Sequence, residues 1–339
     1  MLMNNAVKVS VYCMAYNHAD FIEQTIKGFI SQKTNFRFEV IIHDDASPDG
    51  TAEIIKKYEK EFPEIIKGIY QTENQYSKNI KILNTYVFPF LRGEYVAICE
   101  GDDYWSDPSK LQSQVDALEK HRDCHFCVHK TKEILVSGED TGNTFPAFRM
   151  DSGVITSYDF LSLCSKNYSF HTSSYLFRMS EWSKYISNPP SFRKVCDVGD
   201  EPYMMYFGQL GNVYYIDKIM SAYRRGVTTS WTRRNMVTTD INKLVKHPSA
   251  MIETYLAFDE YTDNKYHKLF LPKTAVMKLK VGVYTKKCRK LLTKKEKEYF
   301  KSLSVSKRAV VIVAAIFPSI VLSFYLKRLK RLHKRKGYV

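Results

Sequence analysis

The sequence predicts an α/β fold built around a mainly parallel sheet. Two patterns lead to this prediction. In the first 121 residues, short apolar stretches alternate with amphipathic ones, and polar or acidic residues follow several of the apolar stretches. Strands that alternate with helices are typical of βαβ units, which form parallel sheets. Short and almost wholly apolar strands suit a sheet that is covered on both faces.

The first third of the chain contains four predicted strands, each followed by a helix. Residues 7–13 alternate and are rich in valine, which favours a strand. The first helix is predicted to begin at Asp20 as its capping residue, with Glu23 three positions later. The other strands are predicted at 38–42, 65–71 and 95–99, and the helices at 20–32, 51–61, 80–91 and 111–121.

Beyond residue 123 the pattern is less regular. Strands are predicted at 124–136, 174–178, 213–217 and 220–224, helices at 158–165 and 201–209, and a loop at 137–152. Residues 236–300 are predicted to be mainly helical, with breaks at Pro248 and Pro272 because proline cannot donate the helical hydrogen bond.

The fourth strand ends in three carboxylates within four residues, Glu100, Asp102 and Asp103. Such packed negative charges repel one another unless a cation or ligand compensates them. Carboxylate oxygens suit hard cations such as Mg²⁺ and Mn²⁺, which in turn bind diphosphates. The alternative is a solvated acidic turn before the helix that begins near Ser109.

Two other predicted strands also end in polar residues, Tyr16-Asn17 after the first and Asp44-Asp45 after the second. In parallel sheets, ligands bind beyond the carboxyl ends of the strands. A nucleotide lying along that edge explains all three polar ends together, whereas the alternative requires three unrelated turns.

The charge of the chain is unevenly distributed. The net charge is +15, but residues 265–339 hold 22 Lys and Arg against two Glu, so the first 264 residues carry −5. A basic tail of this kind favours an anionic surface, either membrane lipid or nucleic acid, as its partner. The seven scattered cysteines predict a reducing cytosol, and the N-terminus has no apolar core of a secretory signal peptide.

Residues 309–326 form an uncharged run of 18 residues interrupted by Pro318. A helix of this length spans about 27 Å, near the thickness of a bilayer core. Basic residues flank the run on both sides, so a single span would export the most basic segment, against the positive-inside tendency. We therefore expect a monotopic or peripheral segment that dips into the cytoplasmic face of the cell membrane and binds anionic lipid; a single span and a soluble core helix are the alternatives. Nucleic acid is not expected, because the tail lacks interleaved aromatic residues.

Taken together and in order, the motifs resemble those of glycosyltransferase family 2. They are Ala15-Tyr16-Asn17, the segment from Val40 to Thr51 with Asp44-Asp45, and Glu100-Gly101-Asp102-Asp103-Tyr104-Trp105. The resemblance covers about residues 7–235 and is closest to bacterial enzymes of capsule, O-antigen or exopolysaccharide assembly. It implies a GT-A fold, a Rossmann-like nucleotide-binding domain, followed here by a helical C-terminal extension.

The resemblance also implies roles for individual residues at the donor site. Tyr16 and Asp45 resemble the residues that hold the base of a nucleotide sugar. Asp103, and with it Asp102, resembles the ligands of a divalent metal, Mn²⁺ or Mg²⁺. The implied donor-binding set is Ala15, Tyr16, Asn17, Asp44, Asp45, Glu100, Asp102, Arg224 and Arg225.

The segment from Asp197 to Pro202 resembles the acidic motif of the acceptor-side helix. A carboxylate there would deprotonate the acceptor hydroxyl. Asp200 is the first candidate for this base, Glu201 the second and Asp197 the third. The alternative is that Asp200 merely caps the helix.

Arg224 and Arg225 follow a predicted strand and are candidates for contact with the diphosphate, since Arg pairs well with phosphate oxygens. A solvated basic loop is the alternative. The segment His171-Thr172-Ser173-Ser174 resembles an acceptor-side segment of the same subfamily, with a structural turn as the alternative.

We therefore expect an inverting, metal-dependent hexosyl- or N-acetylhexosaminyltransferase that uses a nucleotide-diphosphate sugar, preferably UDP-linked, and a glycan on a polyprenyl diphosphate. The expected domains are 1–235 (a nucleotide-sugar half at 1–105 and an acceptor half at 106–235), a basic helical extension at 236–308 and a membrane-associating segment with a basic tail at 309–339. The alternative is a catalytically inactive, membrane-tethered protein that binds a nucleotide sugar or glycan.

Overall fold

A computed structural model of the chain describes residues 6–166, 169–228, 230, 233, 235 and 237–335. The chain forms two compact units. The first comprises the described part of Met1–Asn188 together with Tyr206–Val227, and the second comprises Pro189–Met205 and the described part of Thr228–Val339. The segment 189–205, which we predicted within the first domain, thus packs with the C-terminal residues. Residues 336–339 of the predicted basic tail lie outside the described residues.

The first unit contains one mixed sheet. Its strands are β1 (Val7–Ala15), β2 (Arg37–Asp44), β3 (Ile66–Tyr70), β4 (Tyr95–Ile98), β5 (Tyr104–Trp105), β6 (Cys124–Leu135), β7 (Asp140–Phe145), β8 (Gly153–Ile155), β9 (Leu176–Arg178) and β10 (Asn212–Arg225). The strand order is β3-β2-β1-β4-β9-β6-β10-β5, with β7 on β6 and β8 on β10. The four N-terminal strands are mutually parallel, as are β6 and β10, while β9 runs antiparallel to β4 and β6.

The register of the parallel strands places three strand ends at one edge of the sheet. Ala15 pairs with Asp44, and Tyr12 pairs with both Ile41 and Ile98. The residues that follow β1, β2 and β4 therefore lie side by side, as the sequence predicts.

Helices cover both faces of this sheet. They are α1 (Ile22–Ile30), α2 (Thr51–Glu61), α3 (Lys110–Lys120), α4 (Ser157–Ser165) and α5 (Met179–Ser187). Val9, Val11 and Cys13 on one face of β1 belong to a core that includes residues of α1, α2 and α3. On the other face Tyr12 packs on Trp182 of α5, with ring centroids 5.8 Å apart. Burial of an aliphatic side chain such as that of Val9 or Val11 contributes about 1.5–3 kcal/mol to the stability of the fold.

The second unit is helical. Helices α6 (Ser191–Val195), α8 (Ile241–Tyr261), α9 (His267–Tyr284), α10 (Lys297–Ser302), α11 (Val305–Ile316) and α12 (Pro318–Arg335) lie within it. Helix α7 (Asp200–Leu210) begins in this unit and ends in the first. Phe258 of α8 packs against Phe192 of α6 and Phe270 of α9, with centroids 5.2 and 5.4 Å apart.

Several predicted element boundaries are wrong. Pro248 and Pro272 lie inside α8 and α9 instead of ending them. Proline costs about 3 kcal/mol inside a helix, but the apolar residues around both positions continue to pack, so the helices run on. Helix α1 begins at Ile22 without a cap from Asp20. The predicted helix at 80–91 is reduced to two short helical segments, Leu83–Val87 and Phe88–Phe90. The predicted loop at 137–152 contains the polar strand β7. The predicted strands at 213–217 and 220–224 form one strand, β10.

The apolar run at 309–326 is divided between α11 and α12, with Phe317 at the junction. Proline suits the first position of a helix because its missing N–H has no partner there. Within the described part of the chain, none of the helices is long and apolar enough to cross a membrane.

Gly28 permits the close approach of α1 to β5. A Cβ atom at this position would lie 2.7 Å from the Trp105 backbone oxygen and 3.0 Å from its nitrogen. We expect Gly28→Ala to lower the free energy of unfolding by about 1–2 kcal/mol, because the clash outweighs the helix propensity of alanine. Gly50→Ala is the control, since the nearest atom would lie 3.9 Å away. Equal stability of the two variants in urea unfolding would contradict this packing.

Candidate active site

The acidic loop, Glu100 to Asp103, is held against the end of β1. The backbone N–H groups of Cys99 and Gly101 donate to the carbonyl oxygens of Tyr12 and Met14, at 3.2 and 2.9 Å. The Thr25 hydroxyl lies 3.0 Å from the Gly101 carbonyl oxygen and 2.5 Å from that of Asp103. The loop is therefore fixed by its backbone, which leaves the carboxylates to be oriented separately.

Asp103 is the most buried carboxylate of this loop, with 2% of the residue exposed. Its Oδ1 accepts the backbone N–H of Arg224 at 2.9 Å, and its Oδ2 lies 3.7 Å from Nε2 of His171. Burial raises the pKa of Asp103 well above its ordinary value, and the charges of Asp102 and Glu100 raise it further. A cation at this site would offset both effects.

His171 does not supply that cation. Its Nδ1 accepts the backbone N–H of Ser173 at 3.3 Å, so the ring proton lies on Nε2, which is directed at Asp103. Burial lowers the pKa of His171 to about 3, so the ring is neutral. It packs on Tyr223 with centroids 4.5 Å apart. In the sequence, His171 belongs to a segment that resembles an acceptor-side segment, and nothing there indicates that it lies beside Asp103.

A buried hydroxyl network anchors the turn that carries His171. Ser221 Oγ lies 2.8 Å from both Ser173 Oγ and Thr131 Oγ1, and all three residues are fully buried. Trp105 Nε1 donates to the Ser173 carbonyl oxygen at 3.0 Å. This network cannot be predicted from the sequence, because its members are separated by tens of residues and serine carries no burial signal.

Arg224 braces the acidic loop from β10. Its Nε donates to the Asp102 carbonyl oxygen at 3.0 Å and its Nη2 to Gln24 Oε1 at 2.7 Å. The guanidinium lies 4.8 Å from the ring centroid of Phe21, and only 5% of Arg224 is exposed. These contacts orient the loop, so Arg224 is first a positioning residue; its contact with a diphosphate stays a prediction.

Arg225 forms a mostly buried ion pair with Glu133, at 2.7 Å. The same Glu133 oxygen accepts from Thr141 Oγ1 and Asn143 Nδ2, at 2.9 and 3.0 Å. The alternative interpretation, a solvated basic loop, therefore does not describe Arg224 and Arg225.

The turn after β2 is joined to the turn after β1. Ser47 Oγ donates to Asp44 Oδ1 at 2.5 Å and accepts the Asn17 backbone N–H at 3.0 Å. Asn17 and Ala46 adopt the left-handed conformation, with φ of 57° and 59°. Asn17 Oδ1 is buried and has no partner among the described residues. A buried acceptor of this kind is costly unless a ligand satisfies it, which fits a donor site.

Asp45 organises the loop that follows β3. Its Oδ1 and Oδ2 accept the backbone N–H groups of Gln75 and Tyr76, at 2.8 and 3.0 Å, and the residue is 4% exposed. Of the predicted donor set, the structure thus brings Ala15, Tyr16 and Asn17 beside Asp44 and Asp45 at the adjoining ends of β1 and β2. A role for Asp45 in contacting the base stays a prediction.

The acidic loop suits a metal that is completed by substrate. No group of three His, Cys, Asp or Glu side chains in the described residues is arranged to hold a metal by itself. Mg²⁺ is commonly bound by one or two carboxylates together with substrate phosphates and water. Asp102 and Asp103 provide such a pair, so the residues present fit the predicted cofactor.

The second unit contains its own carboxylate cluster at the start of α7. Glu201 Oε1 accepts from Lys273 Nζ at 2.6 Å and from Tyr255 OH at 3.0 Å. Asp200 Oδ1 accepts the Glu201 backbone N–H at 2.9 Å. Burial raises the pKa of Asp200 above its ordinary value, and the charge of Glu201 adds to the shift. Lys273 thus pairs directly with Glu201, the neighbour of Asp200 at the start of α7.

Asp197 has a different partner. Its carboxylate oxygens lie 2.9 and 3.1 Å from Nδ1 of His247 on α8. This contact ties the segment before α7 to α8 and favours a structural role for Asp197.

The model of Glycosyl transferase family 2 matches residues 10–180 of this sequence. The chain belongs to this family. The match includes most of β1, all of β2 and β4 and the acidic loop, and it ends before Asp200. The family membership predicted from the motifs is confirmed.

Two relatives show how far the sequence similarity extends. Rv1520 of Mycobacterium tuberculosis, an uncharacterised protein, is 40% identical over 131 residues, which is 38% of this chain and 37% of that protein. WfaP of Escherichia coli, a UDP-Glc:alpha-D-GlcNAc-diphosphoundecaprenol beta-1,3-glucosyltransferase, is 32% identical over 114 residues, 34% of this chain and 42% of that protein. The similarity therefore spans about two fifths of the length of these relatives.

Among solved structures, TarS 1–349 of S. aureus in complex with UDP has a similar fold. The TM-score is 0.55 at 14% sequence identity, and the alignment covers 98% of this chain and 92% of that one. At this identity the likeness concerns the fold alone. It confirms the predicted GT-A architecture with a helical C-terminal part.

The Lys273–Glu201 pair generates a stability prediction. The side chains are 7% and 15% exposed, so removal of Lys273 leaves a poorly solvated negative charge. We expect Lys273→Met to lower the free energy of unfolding by about 3 kcal/mol, and the double variant with Glu201→Gln to recover part of this loss. The control is Lys278→Met, which breaks a more exposed pair with Glu296. Equal losses in the two single variants would contradict the importance of burial.

Proposed function

We propose that this chain is an inverting transferase that moves a sugar from a nucleoside diphosphate donor, UDP-linked, to a glycan carried on a polyprenyl diphosphate. The reaction belongs to the synthesis of a bacterial surface polysaccharide and takes place at the cytoplasmic face of the membrane. The transferred group is a hexose or an N-acetylhexosamine.

One observation carries the donor assignment: the polar ends of β1, β2 and β4 meet at a single edge of the parallel sheet. Asn17 and Asp44 are linked there through Ser47, and the acidic loop follows the adjoining strand. Ligands of parallel α/β sheets bind at this edge. The unsatisfied acceptor of Asn17 and the excess of negative charge on the acidic loop both favour a ligand that brings hydrogen-bond donors and a cation.

In this proposal Asp102 and Asp103 hold Mn²⁺ or Mg²⁺, and Glu100 contacts the donor. When bound, the cation stabilises the negative charge that develops on the departing diphosphate. Arg224 holds the acidic loop in place through the Asp102 carbonyl and the Asp103 carboxylate. Loss of that brace would misplace the carboxylates without removing them.

Asp200 is the proposed base. It takes the proton of the acceptor hydroxyl while that oxygen forms a bond to the anomeric carbon. The bond from this carbon to the diphosphate oxygen breaks at the same time, and the nucleoside diphosphate leaves from the opposite side, which inverts the configuration. A carboxylate with a raised pKa is a stronger base than an ordinary one, and pairing with Lys273 makes Glu201 the weaker candidate.

The acceptor assignment rests on two observations of different kinds. WfaP transfers glucose from UDP-Glc to a diphosphoundecaprenol-linked acceptor. In this chain, residues 299–339 contain ten Lys and Arg and no Asp or Glu, which favours anionic lipid as a neighbour. A lipid-linked acceptor and an enzyme at the membrane surface are consistent with each other.

The proposed base generates the first activity prediction. Asp200→Asn should reduce transfer by at least about 100-fold, because a positioned base contributes this much or more, while binding of the nucleotide sugar stays within about twofold. Transfer by the unmodified chain should rise with pH through the raised pKa of Asp200, since only the deprotonated form accepts a proton. If Glu201→Gln removes transfer and Asp200→Asn does not, the base is misassigned.

The same substitution has a predicted effect on stability. Since folding raises the pKa of Asp200, the folded state loses stability as pH rises through that value. Asparagine does not ionise, so we expect the Tm of Asp200→Asn at pH 7.5 to equal or exceed that of the unmodified chain. A clear fall in Tm would show that the charged carboxylate stabilises the fold, contrary to this account.

Metal removal tests the cofactor. Transfer should cease in excess chelator, because the departing diphosphate loses the cation that balances its charge. It should return when Mn²⁺ or Mg²⁺ is added. Full transfer in chelator would contradict the assignment of Asp102 and Asp103.

A further inference from the structure

Helices α11 and α12 are anchored to the second unit by one face only. Val311 and Ala314 of α11 and Leu322 of α12 are buried in an apolar cluster with Leu279 of α9 and Leu291. This packing leaves the opposite faces of both helices without cover from the described part of the unit.

The uncovered faces form an apolar ridge, defined as Ile312, Val313, Ile316, Phe317, Ile320 and Phe324. Between 46% and 67% of each of these residues is exposed. Ile312 and Ile316 are four residues apart on α11, and Ile320 and Phe324 are four apart on α12, so each pair lies on one helix face. Phe317, at the junction of the two helices, joins the pairs. Contiguous exposed apolar side chains of this kind mark an interaction surface.

Positive charge follows directly along the ridge. Lys327, Arg328 and Arg331 are three, four and seven residues after Phe324 on α12, which places them on the same helix face, and all three are exposed. Lys307 is exposed at the other end, on the first turns of α11. The chain beyond Glu298 contains no acidic residue that would neutralise these charges.

We propose that the apolar ridge inserts into the headgroup region of an anionic phospholipid bilayer, with the cations of α12 bound to lipid phosphates. This inference deepens the membrane localisation of the proposed function and rests on it. A surface that combines an apolar face with flanking cations is complementary to such a bilayer. A second copy of the same surface would bring like charges together, which disfavours self-association through the ridge.

This mode of attachment differs from the expected dip of the whole 309–326 segment into the membrane. Val311, Ala314 and Leu322 are already buried within the unit, so only the outward side chains are available to lipid. Both helices therefore stay folded on the protein while the ridge contacts the bilayer.

The ridge is tested by sedimentation of the full chain with vesicles of phosphatidylglycerol and phosphatidylethanolamine, and with phosphatidylcholine vesicles alone. We expect binding to the anionic vesicles and at least about tenfold weaker binding of the variant Ile320→Ser/Phe324→Ser. The control variant is Leu256→Ser/Tyr261→Ser, which removes an aliphatic and an aromatic side chain that are 41% and 44% exposed elsewhere in the unit. Equal binding of the two variants, with circular dichroism showing that both are folded, would overturn the proposal.

The cations are tested separately. Replacing Lys327, Arg328, Lys330 and Arg331 with Gln should weaken binding to anionic vesicles by at least about tenfold, because each cation near the surface contributes several-fold. Replacing the exposed Lys243, Lys246, Lys265 and Lys268 changes the net charge equally and should leave binding within about threefold. Equal losses of vesicle binding in the two quadruple variants would show that the chain is attracted to the vesicles by its net charge alone. That result would overturn the proposal of a localised binding surface.

Two further measurements distinguish lipid binding by the ridge from self-association and from the proposed sugar transfer. Sedimentation velocity without lipid should show the same oligomeric state for the chain and its Ile320→Ser/Phe324→Ser variant; a dimer lost only in the variant would assign the ridge to a second copy and overturn lipid binding. The vesicle assay contains no sugar donor, and Asp200→Asn should bind vesicles normally. Failure of sugar transfer would therefore leave the vesicle result intact, and failure of vesicle binding would leave donor chemistry intact.

Discussion

The site depends on how the first unit compensates the negative charges of its acidic loop. Two unit charges 4 Å apart near a protein surface repel by about 4 kcal/mol, and Glu100, Asp102 and Asp103 lie within four residues. Arg224 supplies a positive charge and two hydrogen bonds to this loop from a position 121 residues away from Asp103. The strand pairing makes this contact possible, because β10 runs antiparallel to β5 with Ala222 opposite Tyr104, and continuing that register brings Arg224 to Asp102. The compensation is partial, since Asp103 retains a raised pKa, and a bound cation would complete it.

The second unit solves a similar problem by pairing one of two adjacent carboxylates. Lys273 lies against Glu201, while Asp200 retains a raised pKa. A metal site needs carboxylates whose repulsion a cation can relieve, whereas a base needs a carboxylate with high proton affinity. Both clusters contain a carboxylate with a raised pKa, Asp103 and Asp200. They differ in their cationic contacts: Lys273 pairs with the Glu201 carboxylate, whereas Arg224 contacts the acidic loop through the Asp102 carbonyl and its own backbone N–H. The proposed role of each cluster thus depends on which of its carboxylates are compensated by a neighbouring cation.

The sequence predicts well whatever depends on neighbouring residues. The alternation of Val7 to Cys13 and the apolar run at 95–98 locate strands, and the polar residues that follow them locate the ligand edge, because strand ends of a parallel sheet coincide. It does not predict that Asp45 holds the loop at 75–76, or that Arg225 pairs with Glu133, since these partners are 30 and 92 residues apart. The helical character of 236–300 was predicted, but the breaks at Pro248 and Pro272 were wrong, because tertiary packing outweighs the local cost of proline. The strand at 140–145 was missed because Asp140, Asn143 and the threonines around them carry no apolar alternation.

The most direct test of the account is a screen of UDP-, GDP- and dTDP-linked sugars for release of nucleoside diphosphate in the presence of a polyprenyl diphosphate-linked glycan, with and without Mn²⁺. We expect release from one class of UDP-sugar, dependent on the metal and lost in Asp200→Asn. Binding of nucleotide sugars by the folded chain without release from any of them would contradict catalysis and support an inactive binding protein.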